Sequence, residues 1–197
     1  MSYQTYITEA IVCGSYDNNT ADKSFLLFTR RGGMLYATAR SVREERSKQR
    51  YALQVFSCIN ISLVRGKQSW RIGSVESTGN LFSQAQSRAV RGSIVSVMKL
   101  VRQYIHGEET NFALYDEVVE GLSFLISLPE NSKVVVWETF IKARILYQLG
   151  YIAPSTEVKE LFYKDLHEVL EEDIVSFQKT FSKLIEEAKA VSHLVQG

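Results

Sequence analysis

Apolar positions alternate with polar ones along the first eighty residues and then switch to helical spacing. Residues 3–16 alternate loosely and run into Asp17-Asn18-Asn19, a turn cluster. Residues 23–31 carry Phe25, Leu26, Leu27 and Phe28, which are apolar on both faces. Such a strand belongs under a further element or buried on two sides. Gly32-Gly33 then signals a tight hairpin into a third strand over residues 34–40. A basic stretch over residues 40–50, with room for a short helical turn, precedes a fourth strand over residues 55–64. In that strand Val55, Ile59, Ile61 and Leu63 share one face at period two. Arg65-Gly66-Lys67 forms the next hairpin tip, and residues 69–77 the fifth strand. Gly73 within it predicts the bulge that a small barrel needs to bend its sheet.

Beyond Gly79 the period becomes 3.6. Asn80 is positioned to cap a helix running to His106, with Gly107 as its terminator. A second helix starts at Thr110 or Asn111 and stops before Pro129. A third, over residues 133–149 and closed by Gly150, is apolar on more than one face and is expected at the centre of the helical part. Pro154 and Thr156 open a fourth helix with apolar positions through Leu170, and Asp173 caps a fifth. In the fifth, Ile174, Phe177, Phe181, Leu184, Ala188, Val191 and Val195 form a seam. That seam suits a neighbour within the bundle, or a partner. The fold class is therefore α+β: an N-terminal five-stranded OB-fold barrel over residues 1–79, then an all-helical C-terminal domain over residues 80–197.

Composition adds little, being ordinary for a globular protein at 45% apolar and 23% charged residues. There is no membrane-length apolar run and no N-terminal signal pattern, so a cytoplasmic protein is expected. Charge changes the picture more. The net +1 conceals 13 Lys/Arg against 6 Asp/Glu in residues 1–92, and 10 against 16 in the remainder. Residues 23–75 hold 11 basic and 2 acidic side chains, with arginine outnumbering lysine by 8 to 3. Such cations either aid solubility or face a polyanion. A compact basic half beside an acidic one favours nucleic acid, and arginine's planar fork suits phosphates and base faces.

Motif searches exclude more than they find. Phosphate-cradling glycine loops, a nucleophile elbow and a zinc-protease motif are all absent. Cys13 and Cys58 read as buried reduced thiols. Together with His106, His167 and His193 they make no metal cluster, so neither metal nor cofactor is expected. The carboxylate pairs at Glu44-Glu45, Glu108-Glu109, Glu171-Glu172 and Glu186-Glu187 fall where solvated charge belongs, and no catalytic residue emerges. Single-strand binding needs a cationic groove and aromatic platforms. The candidate cations are Lys23, Arg30, Arg31, Arg40, Arg43, Arg46, Lys48, Arg50, Arg65, Lys67 and Arg71. The candidate stacking faces are Tyr36, Tyr51 and Trp70, each with a core role as the alternative.

Six stretches in order resemble the bacterial DNA repair and recombination mediator RecO. They are Tyr6-Ile7-Thr8-Glu9-Ala10-Ile11-Val12, the hairpin from Asp22 to Gly33, Ala39-Arg40-Ser41-Val42-Arg43, and Ala52-Leu53-Gln54-Val55-Phe56-Ser57, with Val55 where the family carries proline. Arg65-Gly66-Lys67, and Trp137-Glu138 through Gly150-Tyr151-Ile152-Ala153-Pro154, complete the set. The resemblance implies a non-enzymatic protein that binds single- and double-stranded DNA, promotes strand annealing and helps load the RecA recombinase. It implies RecR and the single-strand-binding protein as partners. It places DNA contacts at Arg40, Arg43, Arg65 and Lys67, with Lys23 and Arg30 in the matched hairpin. Many members carry a four-cysteine zinc module after the last of these stretches. Here residues 155–172 contain no cysteine, so a shortened, zinc-free member is expected. Two other readings remain: a helical docking adaptor with weak DNA binding, and an RNA-binding OB protein.

Overall fold

The structure is a computed structural model that describes residues 5–18, 21–44, 47, 49–66 and 69–195. Five strands, β1 (Thr5–Asp17), β2 (Lys23–Thr29), β3 (Gly33–Ala39), β4 (Ser57–Arg65) and β5 (Trp70–Asn80), close into a barrel in the order β1-β2-β3-β5-β4. All pairings are antiparallel except β3–β5, where Ala37 opposes Trp70 and Thr38 opposes Arg71. The inward positions at period two, among them Val12, Phe25, Leu27, Leu35, Ile59, Ile61 and Leu63, form one core. Val42 and Leu53 join that core from the segment between β3 and β4. The short helix α1 (Gln49–Ala52) lies in that segment, the helical turn for which the sequence left room.

The expected bulge is present. Ser62 stands against both Gly73 and Ser74, and the Ser74 N–H donates to Ser62 Oγ at 2.7 Å. A Cβ on Gly73 would come within 2.6 Å of that oxygen, so a larger residue there would force the Ser62 hydroxyl to turn away. A second extra residue, Thr78, interrupts β5, and Cys13 plays the same part in β1. Val55 departs from expectation: it is exposed and precedes β4, because Phe56 turns at φ +70° and its N–H goes to Val12 O at 2.8 Å.

Strand β2 is buried on both faces. Outward-pointing Leu26 and Phe28 are as hidden as inward Phe25 and Leu27. Part of the cover comes from a distant segment, Ile105–Tyr115, which belongs to the same compact unit as residues 1–84. Tyr115 packs on Phe28 at 5.2 Å, the Met34 N–H donates to Gly107 O at 2.9 Å, and the Thr110 hydroxyl donates to Arg31 O at 2.7 Å. Gly33 sits at φ +61°, and a Cβ there would fall 2.5 Å from Glu109 O. The residue is thus fixed by its backbone and by this close approach.

The remaining helices are α2 (Leu81–Gln84), α3 (Arg88–Tyr104), α4 (Phe112–Ser127), α5 (Val134–Gln148), α6 (Thr156–Tyr163) and α7 (Glu171–Val195). Three expectations are corrected. The single helix over residues 80–106 is two. Asn80 caps α2 by accepting the Ser83 N–H at 3.1 Å, and Ser87 restarts the helix by accepting the Val90 N–H at 3.1 Å. The fourth helix ends at Tyr163, where Lys164 adopts an extended ψ of 148°, although Leu166 and Val169 beyond it are still buried. Asp173 lies inside the first turn of α7, beside Glu171 and Glu172, where negative charge suits the helix dipole. It does not cap that helix.

The second compact unit comprises Ala85–Tyr104 and Asp116–Gly197. As expected, α5 is its centre, packed by α3 and α7. Phe140 is fully buried between Phe162 at 5.7 Å and Phe181 at 5.4 Å. The α7 seam is used in this packing through Ile174, Phe181 and Ala188, while Val191 is exposed. Among the described residues, no helix is long and apolar enough to cross a membrane, and no group of His, Cys, Asp or Glu could hold a metal ion.

Candidate nucleic-acid interface

Most of the predicted cations among the described residues fall at two ends of the barrel. At the first, β1 ends, β2 begins and β3 ends. The basic stretch starts there and is held by backbone bonds. Ser41, at φ +51°, donates its N–H to Asp22 Oδ1 at 2.9 Å, and the Arg43 N–H reaches Ala21 O at 3.2 Å. With Val42 anchored in the core, neighbouring Arg43 faces outward. Lys23, Arg43 and Arg50 line one recess over Phe25, Val42 and Leu53. Asp17 sits near two of these cations, 3.6 Å from Lys23 and 3.9 Å from Arg43. Arg50 lies 5.1 Å over the exposed Tyr51 ring and donates to its hydroxyl at 3.1 Å. Arg40 is exposed. Arg46 and Lys48 lie outside the described residues.

On the outer sheet face nearby, Tyr36 is 57% exposed and its ring lies 5.8 Å from that of Tyr16. Arg71 points to solvent from β5, opposite Thr38. Tyr16 escaped the sequence reading. The signal for it was its place at the exposed end of β1, beside the turn cluster that starts at Asp17.

The second end gathers the β2–β3 turn, the start of β1 and the β4–β5 turn. Here Arg65 pairs with Glu108, and its guanidinium lies 4.6 Å over the Trp70 ring. The Tyr6 ring meets Trp70 edge-on at 5.2 Å. Trp70 is half-buried: it packs on the barrel core and walls a surface recess. Its indole nitrogen is buried without a hydrogen-bond partner. Arg30 stands 3.6 Å from Glu9 and 5.6 Å from the Phe112 ring centroid. Arg31 is exposed, and among the described residues it has no ion pair. Lys67 lies outside the described residues. Tyr6 was not among the stacking candidates, and Glu108, expected to be solvated charge, pairs with an arginine 43 residues away in the chain.

A family model described as Recombination protein O N terminal matches residues 1–80. Residues 1–80 are thus similar to a RecO N-terminal domain. The match begins at the chain start and closes on Asn80, the last residue of β5, so the similarity spans all five strands of the barrel. Every cation and aromatic nominated above falls inside it. No curated protein matches the chain.

Proposed function

We propose that this chain is a DNA-binding recombination mediator of the RecO kind, with residues 1–79 as the DNA-binding domain and residues 80–197 as a helical platform. The family that the barrel resembles acts in DNA recombination and repair and is not a known enzyme family. The observation that carries the finer reading is the concentration of arginines with exposed aromatic rings at both barrel ends, inside the family-matched region. On this reading the protein binds single- and double-stranded DNA through Lys23, Arg31, Arg40, Arg43, Arg50, Arg65 and Arg71, with Tyr36 and Tyr51 as stacking faces. It promotes annealing and RecA loading by binding alone, with RecR and the single-strand-binding protein as partners.

The test is a salt titration. Single-strand binding should weaken with log salt at a slope of about −0.7 per phosphate contact. Replacing Arg40, Arg43 and Arg50 together by Ala should make that slope shallower by about 2, irrespective of base sequence. A flat response in the unaltered protein sinks the proposal. Equal affinity for matched RNA would move it towards an RNA-binding role, since discrimination rests on the 2′-hydroxyl.

A further inference from the structure

In OB folds the face of strands 2 and 3, with the loops at the barrel ends, is the usual surface for oligonucleotides. Here the half of that face beside the β2–β3 turn is closed, while Tyr36 stays exposed on the other half. Leu26, Phe28 and Met34 are buried, and the segment Ile105–Tyr115 is fastened over Phe28 and Met34. Beside that turn a strand of nucleic acid therefore has to be held from the barrel end.

One end holds a recess of about 240 Å³, walled by Tyr6 and Trp70 and rimmed by Arg31, Arg65 and Glu108. Pockets for drug-sized ligands run from about 300 to 1,000 Å³, so this one suits a single planar ring system. Its two aromatic rings stand nearly perpendicular, at 83°. Its Trp70 face already carries a flat cation in the Arg65 guanidinium. Both Arg65 and Glu108 are about half exposed, so their pair is screened and exchangeable.

We infer that this recess receives one unstacked nucleobase of a single strand, which takes the place of Arg65 on the Trp70 indole while Arg65 leaves Glu108 for the adjoining phosphate. The exchange swaps a cation over a ring for a base over the same ring, and one carboxylate for one phosphate. Arg31, which has no ion pair among the described residues, is available to a second phosphate on the other rim. Glu108 then acts as a competitor that holds Arg65 in place until a strand arrives. The inference rests on the DNA-binding reading above.

The chain has two tryptophans, so a Trp137→Phe protein leaves Trp70 as the reporter. Binding of an oligo-dT strand is compared with that of an abasic strand of equal length and phosphate number. Stacking of one base corresponds to about a 5- to 150-fold preference for the base-bearing strand. Oligo-dT should also change Trp70 emission where the abasic strand does not. The unaltered protein, followed by anisotropy of a labelled strand, should show the same preference. Glu108→Gln should tighten oligo-dT binding about threefold by releasing Arg65. Equal affinities with unchanged emission, on an intact salt slope, would overturn the recess and leave the DNA-binding reading standing. Unchanged oligo-dT affinity in Glu108→Gln would overturn the exchange. Failure of both strands to bind at low salt would overturn both readings.

Discussion

Arg65 in the barrel and Arg144 in the helical unit each face one glutamate and one aromatic ring, yet the two pairs behave as different devices. Arg65 and Glu108 are 53% and 44% exposed, whereas Arg144 and Glu117 are 8% and 7% exposed. Arg144 Nη2 donates to Glu117 Oε2 at 2.9 Å, Nη1 donates to Lys164 O at 3.1 Å, and the guanidinium lies 5.9 Å from the Phe140 centroid. Nε and Oε1 approach to 2.7 Å but off-angle, so that contact is electrostatic and not a hydrogen bond. Solvent makes the first pair cheap to break and hence open to exchange with a ligand. Desolvation makes the second costly to break, so it fixes α4 against α5 and the loop after α6. The same residue types make an exchangeable surface pair in one place and a fixed internal pair in the other, and exposure decides which.

The largest expected effect lies in the helical unit. Glu117→Gln leaves the Arg144 charge buried without its counter-ion and should cost about 3–5 kcal/mol in urea unfolding. Replacing both partners by Leu and Met should recover most of that loss. If the single and the double variant are equally unstable, burial is not what distinguishes the two pairs.

An intermediate effect concerns pH. Burial pushes Glu117 above the ordinary carboxylate range, against the pull of Arg144. The folded state then binds the proton more tightly than the unfolded one, so this group's contribution falls as pH rises from the ordinary value through the raised one. Glu138 has the opposite sign. Burial raises its pKa too, but hydrogen bonds from Lys142, Ser93 and Ser96 outweigh that and hold it below the ordinary range. Its contribution is complete above the ordinary value and disappears as pH falls through the lowered one. Glu138→Gln should cost about 1–2 kcal/mol at neutral pH. It should also flatten the acid limb of the stability profile, measured by thermal melts between pH 3 and pH 7. An acid limb as steep as that of the unaltered protein would refute the assignment.

The smallest effect belongs to the barrel pair. Arg65→Ala should change stability by about 0.5 kcal/mol or less, while weakening single-strand binding and removing about 0.7 from the salt slope. A loss of several kcal/mol would place Arg65 beside Arg144 as a structural residue.

Much of the barrel could be read from the chain because its determinants are local. Period-two alternation in Ile59, Ile61 and Leu63, the Gly32-Gly33 turn and the Gly73 bulge are each fixed by residues a few positions apart. The helix break at residues 85–87 was hidden because an unbroken apolar stripe runs through it. The hydroxyl of Ser87 competes with the helical ladder there, and periodicity carries no trace of that competition. The site was half legible for a related reason. A search for cations finds Arg65 but not Glu108, and a search for exposed rings finds Tyr36 but not Tyr16, since pairing across the barrel depends on register. The cover on β2 was foreseen in kind, from the two-faced apolar run at Phe25–Phe28. Its source, some eighty residues downstream, was not.

That cover bears on how the protein is made. A ribosome that has released the chain through residue 80 has finished all five strands but not the segment that shields Phe28 and Met34. Until Tyr115 emerges, the nascent barrel presents a wet apolar stripe on β2, open to chaperones and to neighbouring chains. A fragment cut at the family boundary would keep that stripe for good. One cut after residue 115 would carry its own lid.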